Sequence, residues 1–403
     1  MHCVTNIHED LYWLGGSDRQ LAKFENVFPI PRGVSYNAYL VLDEKTVLLD
    51  TVDKAVGERF FENLEFALAG RPLDYVVVNH MEPDHCATLG ELLRRWPGAQ
   101  VVANAKTVPM VSQFFDCDIS NRAVVVKEGD TLCTGRHTFT FLMAPMVHWP
   151  EVMVTYDAAD KVLFSADAFG TFGALNGNIF ADQVDFERDW LDDARRYYTN
   201  IVGKYGAQVQ SLLKRAAGME IQMICPLHGP IWRENLEWFL EKYQRWSTYT
   251  PEDRGVAIFC GSIYGHTENA CEILASRLAE KGVRHVRIFD VSHTDVSEQV
   301  SAAFQCSHLV FASATYNGGI YTPMETLLLE LKAHALQNRT VALIENGSWG
   351  PAAARLMAKH LEEMKGMEQI APPITIRSAV KKEQYRKLED LADLIAADIA
   401  AEE

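Results

Sequence analysis

The chain has 403 residues, a formal net charge of −16 and 48% hydrophobic residues. This length exceeds the usual size of one hydrophobic core, so two domains are expected, and the strong negative charge argues against nucleic acid or an anionic membrane as a partner. No apolar run approaches the ~20 residues of a membrane span and no signal-peptide pattern opens the chain, so we expect a cytoplasmic protein.

The cysteines point to the same compartment. Eight of them are scattered along the chain without a C-x-x-C pair. Such spacing indicates reduced thiols in a reducing environment rather than a disulfide framework. Cys86 and Cys225 lie next to candidate metal ligands, but nothing in the sequence makes them ligands themselves.

The first part of the chain mixes strand and helix patterns. The predicted strands are 36–42, 46–52, 73–78, 100–103, 123–126, 138–143, 151–156, 161–164 and 221–225. The predicted helices are 57–69, 85–96, 106–115 and a long helical stretch over 191–217. Strands followed by helices predict an α+β sandwich with a helical outer layer.

The predicted strand at 73–78 runs directly into a motif with several possible metal ligands. The motif is H-M-E-P-D-H. Alternate side chains of an extended segment point the same way, so His80, Glu82 and Asp84 should project together, while His85 turns in as the next helix begins. The spacing H-x-[HE]-x-D-H resembles the metallo-β-lactamase fold, whose hydrolases usually carry His at the place of Glu82. An anionic oxygen there shifts the preference from zinc toward iron or manganese, and this indicates redox chemistry.

Residues 169–189 have no clear period and are rich in Gly, Asn and Phe. A loop of this length inside a compact domain is uncommon and usually functional. We therefore expect a lid over the metal site, with a plain surface excursion as the alternative.

A polar stretch over 246–254 breaks the pattern, and it predicts domains at 1–250 and 251–403. The second domain alternates strands with helices. Its predicted strands are 255–261, 284–289, 308–313, 340–345 and 373–377, and its predicted helices are 267–281, 295–304, 323–335, 351–365 and 382–400. This alternation predicts a flavodoxin-like, doubly wound parallel sheet of the α/β class.

Three loops of the second domain form a candidate cradle for flavin mononucleotide (FMN). They follow the first, third and fourth predicted strands, whose ends line one crevice in a flavodoxin-like strand order. Hydroxyls at Ser262 and Thr267, beside the backbone N–H groups of a helix start, suit a terminal phosphate. The pattern G-x-G-x-x-G is missing, which weighs against a dinucleotide.

Aromatic side chains in two of these loops complete the cradle. Tyr316 and Trp349 are expected to pack on the isoalloxazine ring, unless they are core residues and the glycines merely turns. The candidate FMN residues are Ser262, Ile263, Tyr264, Gly265, His266, Thr267, Ser313, Ala314, Thr315, Tyr316, Asn317, Gly318, Gly319, Asn346, Gly347, Ser348, Trp349 and Gly350.

Three more candidate metal ligands follow predicted strands in the first domain: His148, Asp167 and His228. Taken singly, each would more often be an ordinary polar residue. If the carboxylates of Glu82, Asp84 and Asp167 gathered without cations, however, each would carry a desolvation cost of several kcal/mol. The joint pattern therefore predicts a metal centre.

Together these patterns resemble the flavodiiron protein family, also called A-type flavoproteins, over essentially the whole chain. The resemblance rests on the ligand pattern from His80 to His228, followed by a flavodoxin-like domain with all three FMN loops. It implies a metallo-β-lactamase-like αββα sandwich followed by the flavodoxin-like sheet. It also implies two iron ions, one held by His80, Glu82 and His148 and the other by Asp84, His85 and His228, with Asp167 bridging.

The same resemblance implies a soluble oxidoreductase that reduces O2 to water, NO to N2O, or both. We expect no fused rubredoxin or flavin reductase, so electrons would come from a separate protein such as rubredoxin. Relatives form head-to-tail homodimers, or dimers of dimers, in which the FMN of one chain faces the di-iron centre of the other. Tyr197 or Tyr198 would donate a hydrogen bond near the substrate.

Two departures from the family pattern stand out. His266 occupies the phosphate loop where many relatives carry Asn. Some members have a His near the position of Glu25 or Asn26, and its absence here leaves the preference between O2 and NO open.

Two other functions remain alternatives at this point. One is a zinc metallo-hydrolase fused to a flavodoxin, which Glu82 disfavours. The other is a flavin electron carrier or gas sensor without turnover.

Overall fold

The computed structural model describes residues 1–401. They form two compact units, the first built from 1–198 and 207–243 and the second from 199–206 and 244 onward. Within residues 1–401, no helix combines the length and the apolar character that crossing a membrane requires.

The first unit contains sixteen short strands and eight helices, the last two of which extend by a few residues into the second unit. Its strands are β1 Thr5–His8, β2 Leu11–Trp13, β3 Gly16–Asp18, β4 Lys23–Phe24, β5 Phe28–Pro29, β6 Val34–Tyr36, β7 Tyr39–Leu42, β8 Thr46–Leu49, β9 Tyr75–Val77, β10 Gln100–Asn104, β11 Ala123–Val126, β12 Thr131–Cys133, β13 Thr138–Met143, β14 Met153–Asp157, β15 Val162–Phe164 and β16 Met223–Cys225. Its helices are α1 Gly57–Leu68, α2 Pro83–Cys86, α3 Leu89–Arg95, α4 Thr107–Phe114, α5 Phe186–Asp189, α6 Leu191–Tyr197, α7 Gly206–Ala216 and α8 Leu236–Ser247.

Two sheets form the core of this unit. The larger has the order β1-β2-β7-β8-β9-β10-β11 and the smaller the order β12-β13-β14-β15-β16. Strands β8 to β11 run parallel, with Leu48 opposite Val76 and Val76 opposite Val101, and these three side chains are fully buried. Helix α1 contacts β7 and helix α4 contacts β10. Continuous apolar runs are typical of parallel strands buried on both faces, which is why the sequence predicted them well.

The segment 169–189 differs from the expected lid. Phe172 is 1% exposed, and the backbone N–H groups of Gly173 and Ala174 donate to the carbonyls of Gly33 and Arg32 at 2.9 Å. Farther along lie a 3₁₀ turn, Ala181–Gln183, and helix α5. The start of the segment is therefore built into the core beside β6, because its aromatic and small side chains are apolar enough to be buried.

The second unit is a parallel sheet with helices on both faces. Its strands are β17 Asp253–Gly261, β18 Val286–Asp290, β19 Cys306–Tyr316, β20 Gly319–Ile320, β21 Arg339–Asn346, β22 Met367–Gln369 and β23 Ile374–Ile376. Its helices are α9 His266–Glu280, α10 Val296–Gln305, α11 Thr322–Ala333, α12 Ala353–Glu362 and α13 Lys382–Ala401.

The strand order is β18-β17-β19-β21-β22, with β23 pairing to β21 and the short β20 pairing antiparallel to β19. Successive residues of β17 pack on opposite faces of the sheet. Ala257 and Phe259 belong to one buried cluster, and Val256 and Ile258 belong to the other. This is the predicted flavodoxin-like order, in which ligands bind at the carboxyl ends of the strands, beside the point where the order reverses.

Candidate functional site

The seven predicted metal ligands converge in the first unit, although they are far apart along the chain. All of them follow strand ends, after β9, β13, β15 and β16. Their ligand atoms form two groups, within each of which the atoms lie no more than 4.8 Å apart. One group contains His80, Glu82, His148 and Asp167, and the other contains Asp84, His85 and His228.

Asp167 lies between the two groups. Its Oδ2 is 3.2 Å from the Nε2 atoms of both His80 and His148. Its Oδ1 is 3.1 Å from His85 Nε2 and 3.7 Å from His228 Nε2. Each carboxylate oxygen therefore faces a different pair of imidazoles, which is the geometry that a bridging ligand requires.

An extended motif predicts that Asp84 projects together with His80 and Glu82, but in the structure it does not. The chain becomes helical at Pro83, a residue suited to the first helical position because it has no N–H to leave unpaired. Asp84 consequently turns toward the second group, with Oδ2 at 3.4 Å from His85 Nε2 and 3.3 Å from His228 Nε2. One short motif thus serves both groups.

Strong electrostatic coupling holds the first group together. Burial alone would raise the pKa of Glu82, but hydrogen bonds and charge from His148 and His80 lower it well below its usual range. Burial would lower the pKa of His148, yet Asp167 and Glu82 raise it to about 9. Asp167 likewise has a strongly lowered pKa, because His80 and His85 outweigh its complete burial. The carboxylates are therefore stable here only next to positive charge.

Unpaired polar atoms show that the residues present fit metal ions. Within residues 1–401, neither oxygen of Asp84 nor of Asp167 meets a hydrogen-bond donor in good geometry, although these atoms are buried. The Nε2 atoms of His85 and His228 lie only 3.1 Å apart and so aim at a common point. Buried polar atoms are rarely left unpaired, and cations among mixed imidazole and carboxylate donors would satisfy them.

The outer nitrogens of two imidazoles have defined partners. His80 Nδ1 lies 2.8 Å from Glu151 Oε1, and His228 Nδ1 donates to the Ser35 carbonyl at 2.7 Å. Such contacts direct the Nε2 lone pair of each ring into the centre. The role of Glu151 could not be predicted from the sequence, because its partner His80 lies far away along the chain.

Tyr197, at the end of α6, faces the carboxylates. Its ring centroid is 5.4 Å from that of His228, and its fully buried hydroxyl has no hydrogen-bond partner within residues 1–401. Burial and the charges of Asp167 and Asp84 raise its pKa well above the ordinary value. Tyr198, the other candidate, packs against Tyr243 with ring centroids 5.0 Å apart.

Glu25 occupies the turn between β4 and β5. Desolvation of its carboxyl group and the nearby Glu82 raise its pKa to about 7, although the residue as a whole is exposed. Glu25 thus brings a further acidic group to the edge of the metal-ligand cluster.

In the second unit, the three predicted loops line a cavity of about 510 Å³ at the ends of β17, β19 and β21. The lining residues are Ser262, Ile263, Tyr264, His266, Thr267, Ala314, Thr315, Asn317, Gly318, Asn346, Gly347, Ser348, Trp349, Gly350 and Ser378. Ser378 was not predicted; it follows β23 and hydrogen-bonds to Ser348 at 2.8 Å.

Four of the predicted FMN residues do not line this cavity: Gly265, Ser313, Tyr316 and Gly319. Ser313 is fully buried, and its hydroxyl accepts a hydrogen bond from the Tyr321 N–H at 3.3 Å. Gly265 has a φ of +86° at the start of α9, where a side chain would be strained. Trp349 and Tyr316 are 93% and 46% exposed, so they are not core residues.

Comparisons with known proteins agree with this architecture. Residues 34–229 match a family model described as "ODP family beta lactamase". The chain is 30% identical over 362 residues to the anaerobic nitric oxide reductase flavorubredoxin of Escherichia coli (strain SMS-3-5 / SECEC), covering 89% of this chain and 75% of the relative. The chain belongs to the flavodiiron protein family.

Solved flavodiiron structures superpose over nearly the whole chain. The rubredoxin oxygen:oxidoreductase of Desulfovibrio gigas matches with a TM-score of 0.91 and 29% identity, covering 99% of each chain. A variant of the flavo di-iron protein of Thermotoga maritima matches with a TM-score of 0.88 and 26% identity, covering 98% of this chain and 99% of that one. These matches confirm the predicted metallo-β-lactamase-like and flavodoxin-like folds, and they place this flavodiiron protein in a family of oxidoreductases.

Proposed function

We propose that this flavodiiron protein reduces O2 to water, NO to N2O, or both, at a pair of iron ions that receive electrons through FMN. The observation that carries the proposal is the set of buried Asp84 and Asp167 oxygens that meet no donor in good geometry within residues 1–401, opposite converging imidazole nitrogens. The names of the Escherichia coli and Desulfovibrio gigas relatives support the two gases as substrates.

The ligand roles follow the two groups of side chains. His80, Glu82 and His148 would hold one iron and Asp84, His85 and His228 the other, with Asp167 shared between them. With so few protein ligands for each ion, coordination positions remain open to a small molecule. The iron pair supplies binding positions and redox equivalents for two diatomic molecules or for O2.

The protein shapes the space beside these ligands. Phe24 packs edge-on against His228 with ring centroids 5.3 Å apart, and Phe172 packs against Phe24 at 5.4 Å. This apolar wall excludes water from one side of the centre, which strengthens the electrostatic interactions within it. In the proposed centre, the Tyr197 hydroxyl donates a hydrogen bond to a bound gas or to its reduction product.

The second unit supplies the proposed flavin site. Ser262 and Thr267, at the start of α9, would hold the phosphate group, since both line the cavity and a helix N-terminus favours an anion. The exposed ring of Trp349 is available to stack on the isoalloxazine.

The partners and the assembly are also part of the proposal. A separate donor such as rubredoxin supplies the electrons, as the name of the Desulfovibrio gigas relative suggests. A head-to-tail homodimer brings the FMN of one chain to the iron pair of its partner. The domains divide near residue 250, and the protein works in the cytoplasm.

Gas consumption by the reconstituted protein tests this function. Anaerobically purified protein, loaded with Fe(II) and FMN, is given a chemical electron donor and either O2 or NO in an electrode cell. We expect many turnovers with at least one gas, and none after Asp167→Asn, because the bridging charge is lost. A single stoichiometric reoxidation without turnover would contradict the proposal, as would bound zinc with hydrolytic activity.

A further inference from the structure

We propose that Glu151 is a positioning residue that makes the two metal positions unequal. The position formed by His80, Glu82 and His148 would bind its ion more tightly than the position formed by Asp84, His85 and His228. The inference rests on the proposed function for the existence of two metal positions.

Glu151 is locked in place behind His80. It is 1% exposed, and its Oε1 lies 2.8 Å from His80 Nδ1 and accepts a hydrogen bond from the Met81 N–H at 2.9 Å. The side-chain amide of Asn104 donates to the backbone carbonyl of Glu151. Its Oε1 is therefore directed at the outer nitrogen of a metal-facing imidazole, while Oε2 is buried and has no hydrogen-bond partner within residues 1–401.

A carboxylate in this place changes what His80 offers to a metal. With Nδ1–H donated to Glu151, the Nε2 lone pair points into the centre, where it lies 3.2 Å from Asp167 Oδ2. A charged acceptor makes a stronger hydrogen bond than a neutral one, and it increases the basicity of the opposite nitrogen. Both effects increase the affinity of the first position, which contains His80, for its metal ion.

The second position has no equivalent support among residues 1–401. His228 Nδ1 donates to a neutral acceptor, the Ser35 carbonyl, at 2.7 Å. His85 Nδ1 is buried without a hydrogen-bond partner. Neither outer nitrogen contacts a carboxylate, so the imidazoles of the second position are weaker donors than His80.

The same unit contains a matched His–carboxylate pair outside the proposed metal centre. His137 Nδ1 lies 2.7 Å from Asp157 Oδ2, as His80 lies beside Glu151, but its Nε2 is already 3.0 Å from Asp10 Oδ2. Arg136 joins the same cluster through Asp10 and Asp160. Asp157→Asn therefore removes an equivalent buried charge from a His–carboxylate pair without touching the metal centre.

Anaerobic calorimetric titration of the metal-free full-length protein with Fe(II) tests the inference. For the wild type we expect two binding steps of unequal affinity. Glu151→Gln keeps a hydrogen-bond acceptor and should weaken the tighter step about 10-fold, while Glu151→Ala should weaken it about 100-fold. The affinity of the other step should stay within about 2-fold of the wild-type value. For Asp157→Asn, the affinities of both steps should stay within the same range.

A His148→Ala background assigns the effect to one position. This substitution removes a ligand of the first position only, so adding Glu151→Gln should leave the affinity of the remaining ion unchanged. Unaltered binding by Glu151→Gln, or an equal loss at both steps, would overturn the inference and leave the proposed function intact. A wild type that binds no pair of ions would overturn both. If Glu151→Ala does not fold, Glu151→Gln alone decides.

Discussion

The hydroxyl of Tyr197 is fully buried, close to three carboxylates and without a partner among residues 1–401. An unpaired buried hydroxyl costs about 1–3 kcal/mol, so a hydrogen-bond partner bound beside Tyr197 would stabilise this arrangement. A bound substrate, product or ordered water near the irons would do so. Tyr197 packs beside the predicted metal ligand His228, whereas its neighbour Tyr198 packs on Tyr243.

Replacing this tyrosine tests its role. We expect Tyr197→Phe to lower turnover with O2 or NO about 10- to 100-fold while iron and FMN contents stay unchanged, because only a hydrogen-bond donor near the reacting gas is lost. Steady-state gas consumption and metal analysis measure the two quantities. Tyr198→Phe should keep wild-type turnover; the opposite ranking would assign the role to Tyr198.

Much of the site could be predicted at the scale of single residues. His148, Asp167 and His228 each follow an apolar strand, and that local signal is visible without a structure. Glu151 could not be predicted in the same way. Its pairing with His80 exists only because β14 lies beside the loop after β9, where the Met153 N–H donates to the Asn79 carbonyl at 3.0 Å.

Among the secondary-structure elements of the second unit, Arg339 connects the start of β21 to neighbouring segments through hydrogen bonds. The side chain is 2% exposed and donates to the carbonyls of Ala303, Phe304 and Tyr249 at 2.7–2.9 Å. Burial lowers the pKa of its guanidinium group to about 9. No carboxylate accepts these hydrogen bonds, so the guanidinium serves to saturate backbone carbonyls.

Removing this cation should destabilise the protein strongly. We expect Arg339→Met to lower the free energy of unfolding by about 3 kcal/mol or more, because several buried carbonyls lose their donors. Arg254→Met, at an exposed position on β17, is the matched control and should change it by less than about 0.5 kcal/mol. Urea unfolding followed by circular dichroism gives both values, and equal midpoints for the two variants would refute this role.

The hairpin of β12 and β13 carries a pH-dependent contact. Burial would lower the pKa of His137, but hydrogen bonds to Asp157 and Asp10 raise it to about 9 from an ordinary value of 6.5. Because the folded-state pKa is the higher one, this stabilisation is complete below about pH 6.5 and is lost as the pH rises through about 9.

Asp157→Asn should reveal that dependence. Its cost in unfolding free energy should be larger at pH 6 than at pH 10, since the imidazolium that benefits from the carboxylate is present only at the lower pH. Thermal unfolding across this range measures the difference. A cost that stays constant or grows toward pH 10 would show that His137 is not held in its charged form.

The elements themselves were unevenly predictable. The buried strands β9 and β10 and the strands β17, β18, β19, β21 and β23 of the second unit were predicted within a few residues, because continuous apolar runs mark them. Strands β1 to β6 were mostly missed, since they are only two to four residues long. The segment 169–189 was expected to be a lid over the metal site, but composition alone does not show that its Phe residues are buried.

At the scale of the whole molecule, the two proposed cofactors belong to different compact units. Substitutions in one unit should therefore affect one cofactor. We expect His148→Ala to lose the iron of the position that His148 serves and keep FMN, and Thr267→Val to weaken FMN binding about 10-fold and keep iron, because the buried Thr267 loses its hydroxyl. Metal analysis and flavin fluorescence measure both. Loss of both cofactors in either variant would contradict this independence.

The central claim is that seven side chains hold a pair of irons. Anomalous diffraction from crystals of the iron-loaded protein, collected on both sides of the iron absorption edge, tests it most directly. We expect two iron peaks about 3.5–4 Å apart, with Asp167 between them, one beside His80 and one beside His228. A single peak, peaks away from these side chains, or a signal at the zinc edge instead would contradict it.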